Sequence, residues 1–147
     1  MDIGSIEKKR TTMTKIAADT NIMLYALDSF DPKKQAIAID LIESGPAISS
    51  QNVSEFANVC LKKWKLSKDE VAQMINTQLK LCVYHPLSEK AILKGIEIMG
   101  RYNLQFFDSL IVGAALISDC SILYSEDMSD GLVIDDKLKI INPFIEI

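Results

Sequence analysis

Short apolar runs alternate with longer segments of helical periodicity along most of this chain, and that alternation constrains the fold more than any other feature. Residues 15–19, 47–50, 81–85 and 121–124 predict strands, with a further strand at 138–141. Residues 20–28, the segment opening at Pro32, residues 52–64, the segments opening after Ser67 and Ser88, and residues 106–118 predict helices. Strands separated by helices do not pair as tight hairpins. They pair in parallel, and the helices cover both faces of the sheet. The expected architecture is one three-layer α/β/α domain around a central parallel sheet of four or five strands.

The helix ends are written in the sequence. Asp31 caps a helix with Pro32 at its first position, and Ser44-Gly45-Pro46 stops it. Ser67-Lys68-Asp69-Glu70 is a capping box. Ser88 caps a helix that reaches Gly100, with Ile92, Leu93, Ile96 and Met99 expected to face inward. Gly113-Ala114-Ala115 marks the helix over 106–118 as central and closely packed.

A chain of 147 residues, 48% of them hydrophobic, fits a single domain with a sizeable core. Residues 1–12 are polar and carry the basic cluster Lys8-Lys9-Arg10; they predict a flexible lead to a domain over 13–147. A net charge of −4 gives no basic footprint for tight non-specific DNA binding. Cys60, Cys82 and Cys120 are odd in number and far apart, which excludes a disulfide framework or a zinc motif. His85 is the single histidine, so a histidine-rich metal site is not expected. No apolar run approaches membrane-spanning length, and no signal-peptide core opens the chain. A soluble, cytoplasmic protein with no membrane partner is expected.

Four acidic residues sit in or beside apolar runs, where a strand hands over to a helix or a helix begins: Asp19, Glu55, Asp108 and Asp127. A carboxylate among core-forming residues is costly unless something pairs with it. No Lys or Arg sits near enough in sequence to be the obvious partner of Asp19, Glu55 or Asp108. Backbone N–H groups at helix N-termini or a divalent cation remain as partners. In open parallel sheets, ligands bind beyond the carboxyl ends of the strands, so four remote acids can gather there.

The blocks around these acids resemble those of the PIN domain family, and in particular its VapC-type toxins. Asp19-Thr20-Asn21 resembles the opening block, and Asn52-Val53-Ser54-Glu55-Phe56 the second. Phe107-Asp108-Ser109-Leu110-Ile111 resembles the third, and Tyr124-Ser125-Glu126-Asp127-Met128 the fourth. The resemblance implies a PIN-like fold with the first strand central and beside the fourth. It implies a Mg²⁺- or Mn²⁺-dependent endoribonuclease with Asp19, Glu55, Asp108 and Asp127 as metal-holding catalytic residues. Asn21, Ser125 and Asp130 are candidates for supporting them, and Asp130 competes with Asp127 as fourth ligand. The implied partners are an RNA substrate, a cognate antitoxin and a second copy of the chain in a homodimer. Tyr25, Phe30 and Ile39 are expected to supply a contact patch.

Two other functions compete. A haloacid-dehalogenase-type phosphatase also ends its first strand in aspartate, but needs a second acid where this chain has Asn21. A metal-free PIN-like binding module would have no use for four acids. Lys62, Lys63, Lys65 and Lys68 around Trp64 suit either an RNA-contacting patch or a solvated helix end with Trp64 packed on the core.

Overall fold

A computed structural model describes residues 14–145; the expected lead over 1–12 lies outside the described residues. The elements run β1 (Ile16–Ala18), α1 (Thr20–Tyr25), α2 (Pro32–Glu43), β2 (Ala47–Ser49) and α3 (Ser50–Asn58). They continue with α4 (Lys68–Leu81), β3 (Val83–His85), α5 (Glu89–Tyr102), α6 (Phe106–Ile117), β4 (Ile122–Tyr124), β5 (Val133–Ile134) and β6 (Leu138–Ile141). The helix α3 runs on into a π-helical turn, Val59–Lys63.

The sheet order is β3-β2-β1-β4-β6-β5. As expected, β1 is central and pairs in parallel with both β2 and β4. The parallel part of the sheet meets the expected four or five strands, and one further strand at the edge brings the total to six. Five are parallel, and β5 is an antiparallel edge strand paired to β6. A two-residue strand carries no periodicity, so only its pairing reveals it.

Side-chain alternation across β1 sends Ala17 to one face and Ala18 to the other. Ala17 joins Ile98, Ile111, Val112, Leu123 and Ile140 beneath α5 and α6. Ala18 joins Ile22, Met23, Ile42, Ile48 and Phe56 beneath α1 to α4. Trp64 packs against this second cluster, which favours the plain reading of the lysine-rich helix end. No helix of the described residues is long and apolar enough to cross a membrane.

Helix α5 turns a different face inward from the one expected. Ala91, Gly95 and Ile98 are buried, whereas Leu93 is 60% and Ile96 46% exposed. The cause is the close approach of α6. A Cβ on Gly113 would stand 2.4 Å from the Ala91 carbonyl oxygen, and one on Gly95 2.8 Å from that of Ser109. Only small residues fit this seam, so the bulky ones rotate outward.

Candidate active site

Asp19 follows β1 directly and caps α1. It is 3% exposed, and both oxygens are engaged. Oδ1 accepts the Thr20 N–H at 2.7 Å, and Oδ2 accepts the Ser125 hydroxyl at 2.8 Å. Burial pushes the Asp19 carboxyl up to about 7; the Ser125 and Thr20 hydrogen bonds oppose the rise, and the charges of Asp108 and Glu55 add to it. The carboxyl ends of β1 and β4 are adjacent in the sheet, which brings Ser125 to Asp19.

Glu55 lies on α3 and Asp108 in the first turn of α6, both partly buried. Burial raises the Glu55 carboxyl, opposed by a Gln51 amide at 3.1 Å and reinforced by Asp108 and Asp127. Burial and then the charge of Asp127 raise Asp108. Asp127 is exposed in the loop after β4, and its Oδ2 accepts the Asn21 amide at 3.1 Å. The same amide nitrogen stands 3.5 Å from Asp19 Oδ2. The four acids thus share one electrostatic neighbourhood, and among the described residues none of them forms an ion pair with Lys or Arg.

Such a set of hard oxygen donors, with Asp19, Glu55 and Asp108 raised in proton affinity and no ion pair to Lys or Arg among the described residues, suits a divalent cation. Among the described residues no three His, Cys, Asp or Glu side chains form a ready-made cage. A divalent cation such as Mg²⁺ usually keeps several of its own waters and needs few protein ligands.

Of the residues proposed to support the acids, Ser125 and Asn21 touch them. Ser125 also accepts the Met128 N–H at 3.3 Å, so it shapes the loop as well. Asp130 lies elsewhere: its Oδ1 accepts the Asn142 N–H at 2.8 Å and ties the loop to the segment after β6. Tyr25, expected in a contact patch with Phe30 and Ile39, is partly buried. Its hydroxyl donates to Glu126 at 2.6 Å and its ring packs on Phe144, while Phe30 is 98% exposed.

The sequence reading missed the organising role of Asn52. Its Oδ1 accepts the Ser49 N–H at 2.8 Å, and its Nδ2 donates to the Ala18 carbonyl at 3.1 Å and to Thr20 Oγ1 at 3.3 Å. This buried amide joins β1 to the start of α3 and so fixes Glu55 relative to Asp19. The signal was present as Ser49-x-x-Asn52, the spacing of a capping box with an amide in the acid's place.

The sequence pattern of the PIN domain family matches residues 16–129. The chain belongs to the PIN domain family. That membership sets the phosphatase reading aside. Among solved PIN-like structures, a toxin–antitoxin complex from Klebsiella pneumoniae superposes with a TM-score of 0.65 at 21% identity, covering 89% of this chain and 98% of that one. DNA-bound VapBC from Salmonella typhimurium gives a TM-score of 0.65 at 16% identity, covering 87% and 97%. VapC20 of Mycobacterium tuberculosis, a toxin that cleaves the sarcin–ricin loop, gives 0.62 at 12% identity, covering 77% and 90%. No curated protein sequence matches the chain.

Proposed function

We propose that this PIN domain is a Mg²⁺- or Mn²⁺-dependent endoribonuclease and the toxin of a VapBC-type pair, acting in the cytoplasm. The observation that carries the reading is the gathering of Asp19, Glu55 and Asp108 at the carboxyl edge of a parallel sheet, where burial, and then neighbouring carboxylates, raise all three. Asp19, Glu55, Asp108 and Asp127 would hold the ion. A bound Mg²⁺ or Mn²⁺ supplies an acidified water and offsets charge on phosphate oxygens. The protein's share is orientation. Ser125 and Thr20 fix the two oxygens of Asp19, Asn21 fixes Asp127, and Gln51 steadies Glu55. The low-dielectric floor under Asp19 strengthens every charge interaction above it.

Two surfaces support the partners. Leu93 and Ile96 on α5, with Phe106 and Phe107 opening α6, expose apolar area suited to a second copy of the chain. Between α2 and α4 runs a groove of about 570 Å³ lined by Ile39, Ile42, Met74 and Leu81, with Glu43 and Glu70 also on its wall. Among the described residues the buried Oε1 of Gln78 in that groove has no hydrogen-bond partner. An amphipathic antitoxin segment with basic flanks matches this mixture of apolar lining and acidic charge.

The test is cleavage of total RNA by purified protein with Mn²⁺, with EDTA, and with Asp19→Asn, followed by sequencing of the product ends. Discrete metal-dependent cuts lost in the variant are expected. Intact RNA under metal-replete conditions, with no Mn²⁺ bound, would favour the non-catalytic binding module.

A further inference from the structure

The loop after β4 presents two neighbouring acids, and they turn in different directions. Asp127 meets Asn21 within the carboxylate cluster. Glu126 turns toward α1 and α2 instead. Its Oε2 accepts Lys34 Nζ at 2.6 Å and its Oε1 accepts the Tyr25 hydroxyl at 2.6 Å. We propose that Lys34 and Tyr25 are positioning residues that hold Glu126 outside the carboxylate cluster, so that Asp127 alone of the pair enters it. The proposal rests on the nuclease reading above.

The arrangement is more than a solvated ion pair. Exposed pairs hold two long side chains loosely and contribute little. Here both side chains are 25% exposed, and both carboxylate oxygens of Glu126 are taken. The Lys34 ammonium also stands 4.7 Å from the centroid of the Tyr25 ring and 5.5 Å from that of Phe144. Those two rings meet edge-on at 5.0 Å. Lys34 is thereby fixed by an aromatic corner as well as by charge.

The main chain connects this corner to the cluster. The Glu126 N–H donates to Asn21 Oδ1 at 3.3 Å, and the amide group of the same Asn21 donates to Asp127. Three successive side chains therefore have three separate destinations: Ser125 reaches Asp19, Glu126 reaches Lys34, and Asp127 reaches Asn21. A released Glu126 would bring a fifth carboxylate to acids that already repel one another. It would also compete with Asp127 for a cation, since both are hard oxygen ligands.

Lys34→Met keeps the unbranched stem, one atom shorter, and removes its charge. Mn²⁺ binding to RNA-free protein by calorimetry, RNA cleavage against Mn²⁺ concentration, and thermal melts in EDTA are compared across wild type, Lys34→Met and the double variant Lys34→Met/Glu126→Gln. The single variant should shift the Mn²⁺ binding midpoint and lower kcat by roughly tenfold, with the KM for RNA little changed. The double variant should regain the wild-type midpoint, because a neutral amide does not compete for the cation. A purely structural pair predicts the reverse: lower melting in both variants, an unshifted midpoint and no rescue. Tyr25→Phe, which keeps the ring on Phe144 and removes the donor, should shift the midpoint in the same direction by less, and it decides the question should Lys34→Met fail to fold. Wild-type binding with an unshifted midpoint in these variants overturns the proposal alone. Wild-type protein that binds no Mn²⁺ overturns the nuclease reading and the proposal with it.

Discussion

Asn21 and Asp127, 106 residues apart in sequence, are joined by a hydrogen bond of 3.1 Å from Nδ2 to Oδ2. The amide places donor hydrogens between two carboxylates that would otherwise face each other across the cluster. Asn21→Ala should lower metal-free stability by about 1 kcal/mol. Its effect on Mn²⁺ affinity should be larger, roughly tenfold weaker by calorimetry. Asn21→Asp exchanges the donor for another negative charge, so its melting point in EDTA should fall below that of the alanine variant. An aspartate variant as stable as wild type would show that residue 21 does not lie between the charges.

Asp19 makes stability depend on pH in a defined direction. Its folded carboxyl is raised from 3.8 to about 7, chiefly by burial. The folded state therefore holds the proton more tightly than the unfolded chain does. The stability linked to that proton is complete below about 3.8 and is lost as pH rises through about 7. Metal-free wild type should accordingly lose stability over this window, whereas Asp19→Asn, neutral throughout, should show a flatter profile. Melts in EDTA at about pH 5 and about pH 8 measure the difference. Mn²⁺ added at the higher pH should restore the wild type and leave the variant unchanged.

Asp108→Asn tests the crowding of charge without changing shape. Metal-free protein should be at least as stable as wild type, because one of several repelling charges is gone. Nuclease activity should fall by at least about tenfold, equivalent to ~1.4 kcal/mol of transition-state stabilisation. A residue serving only the helix N-terminus would behave otherwise, since asparagine is also tolerated there. Full activity in this variant would remove Asp108 from the site.

The seam between α5 and α6 predicts opposite signs for two glycine-to-alanine changes. Gly113→Ala drives a methyl group against the Ala91 carbonyl at 2.4 Å and should cost on the order of 1–3 kcal/mol. Gly100→Ala, on the same pair of helices, meets nothing within 4 Å and should gain roughly 0.5–1 kcal/mol. Urea unfolding of the two variants reads both values directly.

The exposed apolar side chains of α5 and α6 predict self-association. Light scattering at on the order of tens of micromolar should give the mass of a dimer, and Leu93→Glu should give that of a monomer, because charge is excluded from interface cores. A wild-type monomer under these conditions would refute the dimer.

Sequence made some of these relationships visible and hid others for physical reasons. The caps at Asp31, Ser67 and Ser88 were legible because a cap is a local bond between residues three positions apart. The central place of β1 followed from the alternation of strands and helices together with the family resemblance. The inward face of α5 was misread because the partner helix decides it: Gly113 admits only Ala91 and Gly95, whatever the apolar periodicity of α5 offers. The roles of Asn52 and Lys34 were hidden because their partners lie far along the chain, at Ala18, Thr20 and Glu126. Four acids could be picked out singly; which side chains orient them depends on packing.

The strand order has a consequence for dividing the molecule. A break between Leu66 and Ser67 would leave β1 and β2 on one fragment, with Asp19 and Glu55. The other fragment would carry β3 at one edge and β4, β6 and β5 toward the other, with Asp108 and Asp127. The second piece then owns no unbroken sheet, because the two strands of the first lie between its β3 and its β4. Neither piece owns a complete set of acids. Complementation of the two fragments would have to rebuild sheet and site together, so recovered RNA cleavage would serve as a reporter of their encounter.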